Sequence, residues 1–124
     1  MAKFSLASAP KTFKRIVTIT LLDDSTADIE LTFKYKTRSE YAKLLDDVMK
    51  TDKADEGKTE SAVDIFKRLG AGTADFLMKI IEAWDLEDEF NKANVADLID
   101  KFPAAANEIT EAYRIAILEG RTKN

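Results

Sequence analysis

Two runs near the N-terminus alternate between apolar and polar positions, which is the pattern of β-strands. The first run begins at Phe13 and carries apolar residues on both faces, whereas the second has one apolar and one polar face. Because only the polar residues 23–26 separate the runs, we predict an antiparallel hairpin. In the first strand one face carries Phe13, Arg15, Val17, Ile19 and Leu21. In the second the positions predicted to face inward are Ala27, Ile29, Leu31, Phe33 and Tyr35.

The rest of the chain has apolar residues at helical spacing. The first predicted helix opens with Thr37-Arg38-Ser39-Glu40, a capping box in which each end residue binds the other's backbone N–H. Further helices are predicted near 61–69, from Thr73 or Asp75 through Trp84, after the N-cap Asn91, and before Gly120. We therefore predict an α+β fold, with an N-terminal antiparallel β-hairpin followed by about five α-helices that form a small helical bundle.

The composition fits a single globular domain. The chain has 124 residues, 45% of them hydrophobic and 34% charged, and a chain of this length buries roughly two-thirds of its unfolded surface. We predict one domain over residues 13–120, with a flexible arm at 1–12 and a polar tail at 121–124. Residues 50–60 carry charge and little to bury, which predicts a mobile loop. No run approaches the length of a membrane span.

The amino-acid content argues against an enzyme and against nucleic-acid binding. The chain lacks histidine and cysteine, so it lacks the commonest general base and metal ligand, and any thiol chemistry. The net charge is −4, and residues 51–124 carry ten basic against sixteen acidic residues, a balance that repels phosphate backbones. We expect no catalytic, cofactor-binding or metal-binding residues.

A cluster of acids at residues 85–89 directly follows Trp84, the only tryptophan. A calcium loop that began at Asp85 would need glycine at its sixth position and glutamate at its twelfth, where this chain has Phe90 and Ala96. A solvated loop is the favoured interpretation of the acids, and a partner-facing acidic patch is the alternative. For Trp84 the favoured interpretation is a core residue, and the alternative is an interface anchor. Phe90 has the same two interpretations.

Several segments, taken in order, resemble the phage tail assembly chaperone family. They are the strand and helix start ELTFKYKTRSEY at 30–41, a charged loop, IIEAWDLEDEF at 80–90, NKANVADLIDKFPAAANEITEAY at 91–113, and a polar end in RTKN. The Trp-Asp step, the asparagine-started short helix, the Phe-Pro-Ala-Ala-Ala junction and the Ala-Tyr pair of the last helix carry the likeness. The resemblance covers residues 13–124.

The resemblance implies a non-enzymatic chaperone of a phage or prophage. Such proteins act in the host cytoplasm, bind the long tape-measure protein, help to recruit tail-tube subunits and are absent from the finished virion. Self-association along the tape measure is also expected. An apolar docking groove with an acidic rim would serve this role. The candidate partner-binding residues are Trp84, Asp85, Asp88, Phe90 and Phe102.

Two other functions fit the same sequence. One is a structural tail or head–tail component that stays in the particle, and the other is a small cytosolic adaptor or regulator. Neither requires a catalytic centre.

Overall fold

A computed structural model describes residues 9–51 and 72–120 of the chain. Most of the predicted arm and loop, the predicted helix near 61–69 and the polar tail lie outside these ranges. In chain order the elements are β1 (Thr12–Thr20), β2 (Thr26–Lys34), α1 (Arg38–Thr51), α2 (described over 72–80), β3 (Ile81–Trp84), α3 (Lys92–Lys101) and α4 (Ala105–Glu119).

The predicted hairpin is confirmed. Strands β1 and β2 pair antiparallel with Val17 opposite Ile29 and Phe13 opposite Phe33, so the alternating apolar residues meet on one face. The turn holds Asp24 in the left-handed region at φ 66°, where aspartate is better tolerated than most residues. The Asp23 carboxylate accepts a hydrogen bond from the Ser25 backbone at 3.1 Å, which fixes the turn.

The prediction that the helix after Thr73 continues through Trp84 is wrong. Helix α2 ends at residue 80, and Ile81–Trp84 forms β3, which pairs with β2 to give the sheet order β1-β2-β3. A β-bulge interrupts this pairing, so that Ile81 lies opposite Phe33 and Trp84 opposite Leu31. Because of the bulge, Ile81 and Trp84 lie on the same face of the strand although they are three residues apart. Apolar residues three apart are also typical of a helix, which explains the wrong prediction.

The helices cover the inner face of the sheet. Four helices lie within residues 9–51 and 72–120, against about five predicted for the whole chain. Helix α4 packs against β1 and also contacts α1 and α3. Two predicted helix starts are confirmed, since Thr37 and Glu40 form the reciprocal capping box and Asn91 caps α3 by accepting from the Asn94 N–H at 2.8 Å.

Four aromatic rings close one end of the core. The Tyr113 ring centroid lies 5.1 Å from that of Phe33 and 5.6 Å from that of Tyr41, and Phe13 completes the group. The Tyr113 hydroxyl donates to the Lys34 carbonyl oxygen at 2.9 Å. Burial raises the pKa of Tyr113 above its ordinary value, so the phenol stays a hydrogen-bond donor.

Candidate functional site

The opposite end of the sheet forms a groove of about 450 Å³. Three elements meet there: the turn end of the β1–β2 hairpin, the loop after β3, and the C-terminal half of α3. Its apolar lining is Ile19, Leu21, Ala27, Ile29, Trp84, Leu86, Leu98 and Phe102, and its polar lining is Asp28, Asp88, Asn94, Asp97 and Lys101. The groove is therefore an apolar concavity with polar residues at its edge.

Trp84 forms one wall of the groove and also packs against the core. It is partly buried at the end of β3, and its indole N–H donates to the Asp88 carbonyl oxygen at 2.7 Å. The Phe90 ring meets it edge-on, with centroids 5.1 Å apart. The indole thus joins the core to the loop, as the core interpretation predicts, and it also lines the groove.

Asp85 ties the end of β3 to β2. Its carboxylate accepts the Glu30 backbone N–H at 3.0 Å, and its own N–H donates to the Glu30 carbonyl oxygen at 3.2 Å. These bonds continue the β2–β3 ladder by one residue. Asp85 does not line the groove. Its bonds to Glu30 hold the end of β3, which carries Trp84, against β2.

The loop between β3 and α3 is held by its own side chains. The Asn94 amide donates to the Glu89 carbonyl oxygen at 2.7 Å, and the Asn91 amide donates to the Glu89 carboxylate at 3.2 Å. With the Trp84–Asp88 bond, these contacts place Asp88 at the groove rim. The acidic run is therefore a solvated loop of fixed shape, and one of its acids faces the groove.

Phe102 and Leu86 leave apolar surface in contact with solvent beside the groove. Phe102 is 38% exposed and Leu86 is 37% exposed, and both line the concavity. Phe90 lies behind Trp84 and is not part of the lining. Of the five candidate residues, the structure therefore brings Trp84, Asp88 and Phe102 to the groove itself.

Most of the groove lining was not predicted as a binding site. The hairpin residues Ile19, Leu21 and Ile29 were predicted only as strand positions, and Leu86 was not among the candidate residues. Leu86 gave no signal of its own, because a single apolar residue at the surface is ordinary. No local sequence pattern indicated that α3 would lie beside the turn end of the hairpin.

One basic residue, Lys101, lies among the polar residues of the lining. The Lys101 ammonium lies 3.0 Å from the Asp97 carboxylate, one helical turn earlier. This hydrogen bond raises the pKa of Lys101, and the charges of Asp97 and Asp88 act in the same direction. On the outer face of the sheet, away from the groove, the Asp28 carboxylate accepts a hydrogen bond from the Thr18 hydroxyl at 2.9 Å.

The arrangement suits the binding of an apolar ligand surface. Among residues 9–51 and 72–120, no three acidic side chains are grouped so as to hold a metal ion. No helix in this part of the chain is long and apolar enough to cross a membrane. What the groove offers chemically is apolar area with carboxylates at its edge.

Comparisons with known proteins give the family. No curated protein and no solved structure matches this chain. A family model described as phage tail assembly chaperone matches residues 1–124. That role implies protein partners in the phage tail and no catalysis of its own. Since the match covers the whole chain, this protein belongs to the phage tail assembly chaperone family.

Proposed function

We propose that this protein binds the tape-measure protein through the groove and keeps it soluble until the tail tube forms around it. The observation that carries the proposal is the convergence of Trp84, Leu86 and Phe102 on one concavity with a polar rim. A groove of this kind is how many proteins hold the apolar stripe of an amphipathic helix.

The exposed area of the groove favours a partner that binds reversibly. Phe102 and Leu86 are each more than a third exposed, so a partner can bury further apolar surface without any rearrangement of the core. Burial of such surface contributes roughly 25 cal/mol per Å². The polar rim keeps the chaperone itself from exposing one continuous apolar patch.

We also propose where the protein acts and at which stage of tail assembly. It acts in the host cytoplasm while the tape measure is exposed, hands the tape measure to the tail-tube subunits, and is absent from the mature virion. Several copies would bind along one tape measure, because a long helical protein repeats its apolar stripe. A component that remains in the particle would instead be found in purified virions by mass spectrometry.

The test is co-expression with the tape-measure protein of the same phage, followed by affinity capture and a mass determination of the complex. The variant Leu86→Ser/Phe102→Ser removes two groove side chains, and Leu45→Ser is a control of the same exposure on α1. We expect the double variant to weaken capture at least tenfold, since about 1.4 kcal/mol of lost contact gives that factor. The control should bind like the wild type.

Two results would contradict the proposal. One is a tape-measure protein that stays insoluble beside a well-folded, unbound chaperone. The other is a complex whose affinity is the same for the groove variant and for Leu45→Ser, because the contact surface would then lie elsewhere. A far-UV circular dichroism spectrum of each variant separates loss of binding from loss of fold.

A further inference from the structure

Strand β1 has one edge that no other strand of the described residues pairs with, because the sheet order is β1-β2-β3. Two bonds at its ends show which residues face β2. The Lys11 carbonyl oxygen accepts from the Tyr35 N–H, and the Leu21 N–H donates to the Ser25 carbonyl oxygen. Since backbone groups along a strand alternate between its two sides, the even-numbered residues point theirs away from β2. They are Thr12, Lys14, Ile16, Thr18 and Thr20.

This edge has few of the features that keep a strand from pairing. Strand β1 is nine residues long, contains no proline and pairs with β2 without a bulge. At its centre Ile16 is 65% exposed. Natural proteins usually shorten, bend or charge such an edge, because its row of N–H and C=O groups is a template for another strand. The charge of Lys14 is the one such device here, and its Nζ lies 4.0 Å from the Glu30 carboxylate on the outer face.

Arg15 brings a second positive charge to the same edge. Its guanidinium carbon lies 5.1 Å from the Phe13 ring centroid, and one guanidinium N–H donates to the Lys14 carbonyl oxygen at 2.9 Å. Because that carbonyl points away from β2, the guanidinium lies at the free edge. Within the described part of the chain it forms no ion pair, and its Nε has no hydrogen-bond partner. A guanidinium has five N–H donors, so this group still has donors for a carboxylate.

The charges of β1 argue against a second copy as the added strand. The strand has two basic residues, Lys14 and Arg15, and no acidic residue. If two β1 strands paired antiparallel about Ile16, the two Arg15 side chains would be diagonal neighbours, and like charges that are close across a strand pair are destabilising. An extended segment with a carboxylate beside Arg15 would be stabilised instead. Charge complementarity therefore favours an acidic segment.

We propose that the free edge of β1 binds an extended, acid-bearing segment of a partner protein, which adds to the sheet as a further strand. Backbone hydrogen bonds to the even-numbered residues supply affinity, and Arg15 selects the carboxylate. Neither Arg15 nor Ile16 lines the groove. The edge is therefore a second binding surface, and it does not depend on how the groove binds the tape-measure protein.

The test uses the full-length protein and three synthetic peptides of the same length as β1. The peptides share an alternating valine-threonine sequence and differ only at the central residue, which is glutamate, glutamine or lysine. Fluorescence anisotropy at low ionic strength measures their affinities. We expect the glutamate peptide to bind at least tenfold more tightly than the lysine peptide, with the glutamine peptide between them.

Amide hydrogen exchange measured by NMR shows where the glutamate peptide binds. The N–H groups of Lys14, Ile16 and Thr18 face the free edge, so their exchange should slow when the peptide is added. Those of Arg15 and Val17 face β2 and should change little. This alternation is specific to an added strand, because a peptide bound to a face of the sheet would not distinguish neighbouring amides.

Matched variants separate the edge charge from net charge. Arg15→Gln and Lys43→Gln each remove one positive charge, and Lys43 is exposed on α1. We expect only Arg15→Gln to reduce the preference for the glutamate peptide, by several-fold.

A second pair of variants tests the backbone contribution. Ile16→Pro removes one outward N–H, which an edge strand tolerates, whereas Ile16→Thr keeps it. We expect Ile16→Pro to weaken all three peptides several-fold and Ile16→Thr to bind like the wild type. A far-UV circular dichroism spectrum checks the fold, and if Ile16→Pro is unfolded, Arg15→Gln and the exchange pattern still decide.

Four results would overturn the proposal. They are that no peptide binds, that the slowed amides do not alternate along β1, that the glutamate preference is the same in Arg15→Gln and Lys43→Gln, and that Ile16→Pro binds as tightly as Ile16→Thr. Slowed exchange at Lys14, Ile16 and Thr18 in the protein alone, growing with its concentration, would also overturn it, because the occupant would then be a second copy. Failure of tape-measure capture by the groove would leave all of these results unchanged.

Discussion

The two ends of the sheet's inner face are built from the same two strands, but other elements cover them to different extents. At the Phe13 and Phe33 end, the rings of Tyr41 and Tyr113 pack against the strands, and Phe33 and Tyr113 have no exposed surface. At the hairpin-turn end, α3 and the loop after β3 stand apart enough to leave a groove of about 450 Å³. One end is a closed core and the other is an open one.

The contrast shows how one alternating pattern can serve both stability and binding. The strands alternate in the same way along their whole length, with Ile19 and Ile29 as buried as Val17. What differs is the cover: α4 lies along β1 toward the closed end, and Arg38 of α1 donates to the Leu118 carbonyl oxygen there. The open end keeps apolar area available because no helix fills it in the described part of the chain.

The largest expected effect comes from breaking the closed end. Phe33→Ala removes a fully buried ring that contacts both Phe13 and Tyr113. Truncations of this kind cost about 3–5 kcal/mol, a large share of the stability of a small domain. Urea unfolding of the variant measures the loss.

The matched control for Phe33→Ala lies on the outer face of the same sheet. Ile16 is 65% exposed, so Ile16→Ala should change the free energy of unfolding by no more than about 0.5 kcal/mol. A small loss for Phe33→Ala, comparable to that of Ile16→Ala, would mean that the aromatic cluster does not dominate the core.

A smaller effect on stability, joined to an effect on binding, is expected at the open end. Trp84→Ala removes the edge-on contact with Phe90 and leaves the Asp88 carbonyl oxygen without its donor. Together these losses should cost about 2 kcal/mol, less than Phe33→Ala. The groove also loses a wall, so capture of the tape-measure protein should fall at least tenfold.

Trp84→Phe sharpens this prediction, because it keeps an aromatic ring while it removes the indole donor and reduces the ring area. It should lose about 1 kcal/mol of stability and retain most of the binding. If Trp84→Ala unfolds the protein outright, the indole belongs to the closed core in energetic terms. If Trp84→Ala leaves binding of the tape-measure protein unchanged, the Trp84 side of the groove is not a contact surface.

The sequence predicted the closed end better than the open one. The hairpin register follows from alternation, since a slip of one residue would move every apolar side chain to the wrong face. The capping box at Thr37 and the N-cap Asn91 follow from local backbone chemistry. Tyr113 of the Ala-Tyr pair in the last predicted helix is fully buried.

The open end depends on contacts that are distant in sequence. The groove forms because β3 joins β2, and β3 was predicted as helix since Ile81 and Trp84 are three residues apart. A bulge has the same spacing, and nothing local distinguishes the two. Asp85 was placed in the candidate surface for its charge, but its position is determined by Glu30, which is 55 residues earlier in the chain.

The smallest expected effect is on how the free energy of unfolding depends on pH. One acidic residue near each end of the sheet contributes to it. The Thr37 backbone N–H donates to the Glu40 carboxylate at 2.9 Å at the start of α1, near the closed end, and this bond lowers the pKa of Glu40 from its ordinary 4.5. At the hairpin tip, hydrogen bonds from Ser25 lower the pKa of Asp23 from its ordinary 3.8.

A carboxyl whose pKa is lower in the folded state stabilises that state fully above its unfolded pKa, and the contribution is lost as the pH falls through the folded pKa. We therefore expect wild-type stability to fall more steeply below about pH 4.5 than that of Glu40→Gln. For Asp23→Asn the difference should begin lower, below about pH 3.9. Urea midpoints from pH 3 to 7 measure both, and parallel curves for wild type and either variant would show that the bond at that end contributes nothing.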